Sequence, residues 1–354
     1  KNISRRNFLK TSTLAAASAA LPSLRTPSAH AAGSDKIRVG LIGCGGRGTD
    51  AARNCVASAE GVEIHALGDL FPDRLEGCAK NLQDLGDRFT AGPGLRFSGF
   101  DAYKKVLATD VDLVILATPP GFRPSHLDAA VKAKKNVFME KPAAVDPAGI
   151  RSVIASADLA KKRNLAIVAG TQRRHQPSYR EVVKRLHDGA IGDIVSAFCW
   201  WNQGGLWSVA RQDGWSDMEW QIRNWLYFVW LSGDHIVEQH VHNLDVINWV
   251  MRSHPVKAYG MGGRQFRTEP LYGHIYDHFA VQYEYPNGAI LTSLCRQIDG
   301  SDGRVDEKVA GTRGVAGPGW WISGPQGYNY DGGKPNPYVE EHRHLIESIR
   351  AGTP

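Results

Sequence analysis

A chain of 354 residues is long for one domain and long enough for two, each with its own core. Its 42% hydrophobic content is that of a soluble globular protein and excludes fibrous and disordered classes. The formal charge of +6 is concentrated in the first 31 residues, where Lys1, Arg5, Arg6, Lys10 and Arg25 meet no acid; about +1 is left for the rest, which removes the electrostatic case for DNA or RNA.

The basic start has an order. Paired Arg5 and Arg6 precede Phe8, Leu9 and Lys10, then an alanine-rich, mildly apolar run, then small residues around Ala29-His30-Ala31. Residues 1–31 therefore read as an export signal of the twin-arginine type, which predicts a periplasmic or otherwise exported protein. No later run approaches the roughly 18 apolar residues of a membrane span. Five scattered cysteines without C-x-x-C pairs indicate neither a disulfide framework nor a zinc ribbon. Because this export route carries folded proteins, thiols are the expected state. The chain begins without Met and stops at "IRAGTP", so it is expected to be a fragment.

From Lys36 onward, short apolar runs alternate with helical stretches. "KIRVGLIGCGG", "VEIHALGD", "VDLVILATPP", "NVFMEKP" and "LAIVAG" read as strands, and residues 49–59, 72–85, 126–133 and 147–162 as helices. Strands this apolar predict a doubly wound parallel sheet of the Rossmann type, covered on both faces, over residues 36–158. Residues 159–354 are expected to form an α+β domain with a largely antiparallel sheet. Its signals are a helix over 177–187, the strand "IVSAFCWW", an aromatic-rich segment, a helix through "SGDHIVEQHVHNLD", and "AVQYEY" joined to "AILTSLCRQ" by the hairpin turn "PNG". Residues 311–337 read as an irregular loop.

"VGLIGCGGRG" supplies G-x-G-x-x-G through Gly43, Gly45 and Gly48, with Arg47 inside the turn. The glycines permit a tight turn and close approach of backbone to a pyrophosphate at the following helix N-terminus. Asp69 ends the next strand, where a carboxylate takes ribose hydroxyls and repels a 2′-phosphate; with Leu70 following, NAD is favoured over NADP. Thr118, Pro119 and Pro120 end the strand expected beneath the cofactor, with His126 a few residues on. In "MEKPAA", Lys141 precedes a proline at a strand end, which fixes its direction in an extended or turn conformation, with a cis peptide as one way to do so. An ammonium fixed beside the nicotinamide would polarise a hydroxyl that is becoming a carbonyl.

Together, Gly43-x-Gly45-x-x-Gly48, Asp69, Thr118-Pro119-Pro120 with His126, Glu140-Lys141-Pro142 and "GTQRRHQPSY" resemble the glucose–fructose oxidoreductase, inositol dehydrogenase and MocA superfamily (Gfo/Idh/MocA), across nearly all of the chain from Ile37. The resemblance implies cofactor contacts from Arg47, Thr118, Pro119, His126 and Glu140 as well as the glycines and Asp69. It also implies that an Asp-x-x-x-His pair meets the Glu-Lys-Pro lysine over the nicotinamide. The matching pair here is Glu238-x-x-x-His242, with Asp245 following, and Glu in place of Asp departs from the pattern.

On one helix at about 100° per residue, His235, Glu238, His242 and Asp245 share an arc of about 80°, while His240 lies about 160° from His242 and reads as structural. His242 is the expected proton acceptor, working near neutrality, with Glu238 orienting or tuning it and Lys141 opposite. A metal held by His235, Glu238 and His242 uses the same face, but no distinctive zinc spacing supports it, and none is assigned. Seven of the ten tryptophans lie between Trp200 and Trp230 and suit either sugar stacking or a buried contact; Trp207, Asp245 and Arg173 are assigned to substrate, Arg173 rather than Arg174 because successive extended side chains point oppositely.

The expected function is hydride transfer between NAD and a hydroxyl of a sugar, polyol or glycoside. Free NAD is scarce outside the cytoplasm, so the cofactor should be tightly bound. A redox-neutral, NAD-dependent glycosidase or lyase acting through transient C3 oxidation, with or without metal assistance, and a non-catalytic sugar binder remain as alternatives. By resemblance, a homodimer or homotetramer is expected.

Overall fold

The computed structural model describes residues 36–354, so the export-signal segment lies outside the described residues. The first layer runs β1 (Ile37–Ile42), α1 (Gly46–Ser58), β2 (Val62–Asp69), α2 (Pro72–Asn81), β3 (Arg96–Ser98), α3 (Ala102–Leu107), β4 (Leu113–Leu116), α4 (Arg123–Lys132), β5 (Asn136–Met139), α5 (Pro147–Lys162) and β6 (Ile167–Ala169). The six strands are all parallel and lie in the order β3-β2-β1-β4-β5-β6. That is the expected doubly wound Rossmann sheet, with its order reversing between β1 and β4.

Strand alternation explains why these runs are apolar throughout. Leu113 and Ile115 pack with Val39, Leu41 and the α1 residues Ala52 and Val56, whereas Val114 and Leu116 pack on the other face with Leu127, Ala130 and Val131 of α4. Both faces are therefore core, and a polar residue on either would lose water without gaining a partner.

The second layer runs α6 (Pro177–His187), β7 (Ile194–Gln203), α7 (Asp217–Arg223), α8 (Val229–Ser232), α9 (His235–Glu238), α10 (Val241–Met251), β8 (Lys257–Gly263), β9 (His278–Glu284), β10 (Ile290–Gln297), β11 (Arg304–Gly311), β12 (Gly314–Gly317), β13 (Trp321–Ser323), β14 (Tyr328–Asn329) and α11 (Pro337–Ala351). Its eight strands follow the order β14-β13-β12-β11-β7-β10-β9-β8, antiparallel except for β7 against β10. Ala197, Cys199, Leu291 and Val309 face α6 and α10 across a shared core. Among the described residues no element covers the other face, which carries exposed Phe198, Tyr259, Met261 and Ile290. The turn "PNG" closes β9 onto β10 as expected, with Gly288 at φ 81°.

Three local expectations change. The helix expected over 72–85 ends at Asn81, the stretch 311–337 contributes β12, β13 and β14 rather than only loop, and the C-terminal helix α11 had no sequence assignment. Leu345, Ile346 and Ile349 of α11 join the core of β1 and α1, and β6 belongs to the parallel sheet, so the division expected at residue 158 leaves out both. All five cysteines are free and buried. Among the described residues no helix is long and apolar enough to cross a membrane.

Candidate active site between the two sheets

The glycine turn after β1 can hold no side chains at its critical points. A Cβ on Gly48 would lie 1.8 Å from the Gly43 carbonyl oxygen, and one on Gly43, at φ 102°, would lie 2.5 Å from the backbone after β4. Gly46 has open space above it, so the α1 N-terminus is free for a phosphate to approach. Asp69 faces the same turn, its carboxylate accepting from the N–H groups of Cys44 at 2.7 Å and Phe71 at 2.9 Å. Burial pushes this carboxyl up, and the two N–H groups offset part of that rise.

These residues line a cavity of about 410 Å³, together with Arg47, Leu70, Thr118, Pro119 and His126 from the first domain and Trp207, Ile222, Arg223 and Trp225 from the second. The open glycine turn, the ribose-facing carboxylate and the β4 end fit a dinucleotide. His126 lies under the β4 end, its Nδ1 3.2 Å from Thr118 Oγ1 and its ring stacked on Tyr103. Burial, with Arg123 nearby, lowers its pKa to about 4, so it is neutral. Arg123 is itself buried and donates to the carbonyls of Leu116 and Thr118, fixing the end of β4.

Arg47 joins this cavity to the chemistry beyond it. Its Nε donates to Glu140 at 2.6 Å, its guanidinium stacks over Tyr338, and Glu341 of α11 lies 3.7 Å from its Nη2. Glu140, expected at the cofactor, is buried and accepts from Arg47, which lines the cavity. Lys141 follows across a cis peptide to Pro142, and its Nζ donates to the Glu238 carbonyl at 2.6 Å and to Glu238 Oε1 at 2.7 Å.

The single helix expected through residues 235–245 is broken. Asp234 stands at φ 70°, α9 is one turn long, and α10 starts at Val241. The break separates what an unbroken helix would align. His235 is buried, with Nδ1 3.2 Å from Asp234 Oδ1 and its ring against Phe279. Glu238 meets Lys141 rather than His242. Asp245, assigned to substrate, accepts a bidentate pair from Arg174 at 2.8–3.0 Å. His240 is in the core as expected, its Nε2 2.7 Å from Ser293 Oγ. Among the described residues no group of three His, Cys, Asp or Glu side chains is arranged to hold a metal.

His242 stacks on Trp201 at 5.6 Å between ring centroids, and among the described residues no side chain hydrogen-bonds its ring. Burial first, then the positive charges of Lys141, Arg173 and Arg47, hold it well below the ordinary histidine value. The expectation of a working pKa near neutrality is therefore corrected: no acid stands beside the ring to raise it, and the imidazole is neutral. Arg173 is held by an ion pair to Glu307, which also accepts from Tyr179 Oη at 3.0 Å and Asn243 Nδ2 at 2.6 Å.

Trp207, assigned to substrate, lines the nucleotide cavity and meets Trp225 edge-on at 5.8 Å; Trp201 is the tryptophan beside His242. Sequence reasoning missed Glu307, Trp201, Glu341 and the Arg223–Asp73 pair. Glu307 had a readable signal, since it is an acid two residues before inward-facing Val309 in a period-two strand.

A doubly wound sheet carrying a dinucleotide turn, followed by a sheet domain whose buried His242 feels the charge of Lys141, defines a nucleotide-binding architecture with a charged site beyond its cavity. Residues 37–170 match the family described as "Oxidoreductase family, NAD-binding Rossmann fold" (GFO_IDH_MocA), and residues 179–316 match the "GFO/IDH/MocA C-terminal domain". The chain belongs to the Gfo/Idh/MocA oxidoreductase family. Residues 2–22 match a twin-arginine translocation signal, which supports export by that pathway.

Among curated relatives, an inositol 2-dehydrogenase of Acidothermus cellulolyticus is 26% identical over 65% of this chain and 58% of its own. A 2,7-anhydro-N-acetylneuraminate hydratase of Escherichia coli is 25% identical over 72% of this chain and 60% of its own. The matched region thus spans less than two thirds of these relatives. The aldose-aldose oxidoreductase of Caulobacter crescentus, solved with glycerol, shares the fold at TM-score 0.69 and 21% identity over 90% of both chains.

Proposed function

We propose that the chain is an exported enzyme that moves a hydride between a carbohydrate or polyol carbon and tightly held NAD(H). The observation that carries this reading is that Arg47, which lines the dinucleotide cavity, pairs with Glu140, the neighbour of Lys141, whose charge acts on the buried, neutral His242. When bound, the cofactor supplies the hydride acceptor or donor at its nicotinamide.

The remaining steps belong to this chain. An ammonium has three donors; two of those on Lys141 engage Glu238, which leaves one for a substrate oxygen. Aimed there, it stabilises the negative charge that develops as a hydroxyl becomes a carbonyl. A neutral imidazole has one free acceptor nitrogen, so His242 takes the hydroxyl proton. Arg173, fixed by Glu307, supplies a polar contact for further hydroxyls. Asp69 at the ribose position supports NAD over NADP, because a 2′-phosphate would meet a carboxylate. A periplasmic site of action supports retention of the cofactor, since a protein exported folded carries its nucleotide with it.

A second reading, a redox-neutral NAD-dependent glycosidase or lyase, is favoured by the hydratase named among the relatives. The test is incubation of the holo-protein with a panel of polyols, sugars and glycosides, following nicotinamide absorbance and products by mass spectrometry. Net NADH with an oxidised sugar supports the first reading; cleavage or hydration without net NADH supports the second. Neither with any member of the panel overturns both. A homo-oligomer is the expected assembly, supported by the uncovered apolar face of the second sheet.

A further inference from the structure

The tryptophan-rich segment before the broken helix is a structured body with its own core. Ile222, Leu226, Tyr227, Phe228 and Leu231 cluster with Ile275, and packed against them are Leu70, Phe71 and Phe122 of the first domain. Internal bonds make the segment stiff: the Asn224 side chain accepts from Val209 N at 2.9 Å and donates to the Leu271 carbonyl at 2.7 Å, while Tyr227 Oη donates to Leu206 O at 3.0 Å.

Two fastenings tie this body across the nucleotide cleft. At one end Arg223 forms a bidentate pair with Asp73, both bonds 2.9 Å, and its guanidinium lies over Phe71 at 3.8 Å with Trp215 at 4.8 Å. Asp73 opens helix α2, directly after the strand that ends in Asp69. At the other end the turn after β4 approaches so closely that a Cβ on Gly121 would lie 2.3 Å from the Trp230 carbonyl oxygen. Between the fastenings, Trp207, Ile222 and Trp225 form a wall of the same cavity as Asp69 and the glycine turn.

We propose that residues 206–231 are a latch over the adenosine half of the bound dinucleotide, with Trp207 and Trp225 covering it and the Arg223–Asp73 pair holding the cover down. This rests on the nucleotide-binding reading above and deepens it: the latch is what makes the nucleotide slow to exchange. An exposed ion pair contributes little, but this one is bidentate and its cation is stacked and mostly shielded, which places it among the stronger surface pairs.

The experiment measures NADH release from loaded protein by stopped-flow fluorescence, alongside nucleotide content after prolonged dialysis. Asp73→Asn changes an exposed carboxylate and should fold normally; Arg223→Gln removes the other partner. Each should speed release by about tenfold, equivalent to about 1.4 kcal/mol. The double variant should be no faster than the faster single, because both remove one interaction. Reduced nicotinamide mononucleotide, which lacks the adenosine half, should leave wild type and variants at equal rates.

Release of NADH within twofold of wild type in both variants overturns the latch, as does equal acceleration of the mononucleotide, which would mark general loosening of the domain. Wild type purified without nucleotide would instead sink the tight-retention reading. The latch would still be judged by the same release rates after loading with NADH.

Discussion

The two ends of the cleft are built from different materials. At the nucleotide end, aromatic side chains and a shared apolar core cross from one domain to the other, with Arg223–Asp73 as the principal charged tie. At the reaction end ion pairs dominate, Lys141–Glu238 and Arg173–Glu307, with Arg174–Asp245 farther along the same helix as His242, and His242 stands among cations without an acid of its own. Apolar contact is short-ranged and indifferent to charge, which suits holding a cofactor. Oriented charge in a water-poor site suits stabilising an oxyanion.

That contrast predicts separable losses. Lys141→Met should reduce kcat/KM by about 10³-fold or more, since it removes both the oxyanion donor and the partner of buried Glu238. Nucleotide content should stay at the wild-type level. Loss of nucleotide in parallel with activity would break the comparison, because the reaction end would then be holding the cofactor.

His242→Ala should cost about 10²- to 10⁴-fold, again with the nucleotide retained. The pH profile sharpens this. A base must be deprotonated, and burial with three cations nearby depresses His242 well below its ordinary 6.5. Lowering the pH from 8 to 6 therefore leaves it neutral, and kcat/KM should show no decline centred in the ordinary histidine range. An acid limb centred near 6.5 would mean that another group is the base.

The same contrast explains what the sequence disclosed. Gly43 and Gly48 were legible because hard-sphere geometry dictates them: a side chain on Gly48 would meet its own turn. The parallel sheet was legible because strands buried on both faces must be apolar throughout. The segment Ser232–Asp245 was read as one helix because its apolar spacing is helical, but Asp234 turns to φ 70° and the helix restarts at Val241. The partners of Glu238, Asp245 and Arg173 lie about 70 to 130 positions from them in sequence, and periodicity carries no information about contacts at that range. Trp207 shows the same limit: composition marked a stacking surface but not the cavity it lines.

The smallest expected effect concerns the brace that joins the two ends. Arg47 of the glycine turn holds Glu140, the neighbour of Lys141, while buried Glu341 approaches it from α11 with both carboxylate oxygens lacking a hydrogen-bond partner. The shorter bond shows where the Arg47 charge goes, at 2.6 Å to Glu140 against 3.7 Å to Glu341. Burial, and then the negative charge of Glu140, push Glu341 up to about 9, so it is protonated at neutral pH. An unfolded Glu titrates near 4.5, and folding at higher pH must take up a proton. Its stabilising contribution is full below that value and is lost as pH rises toward about 9. Glu341→Gln keeps the shape and removes the proton uptake, so Tm should rise by a few degrees at pH 8 and the gain should fade toward pH 5. Buried His342, lowered to about 3, makes both proteins less stable as pH falls below the ordinary histidine range, and this slope cancels in the difference. A gain equal at both pH values would show that Glu341 is ionised against Arg47, and the brace would then be held by charge like the ion pairs at the reaction end.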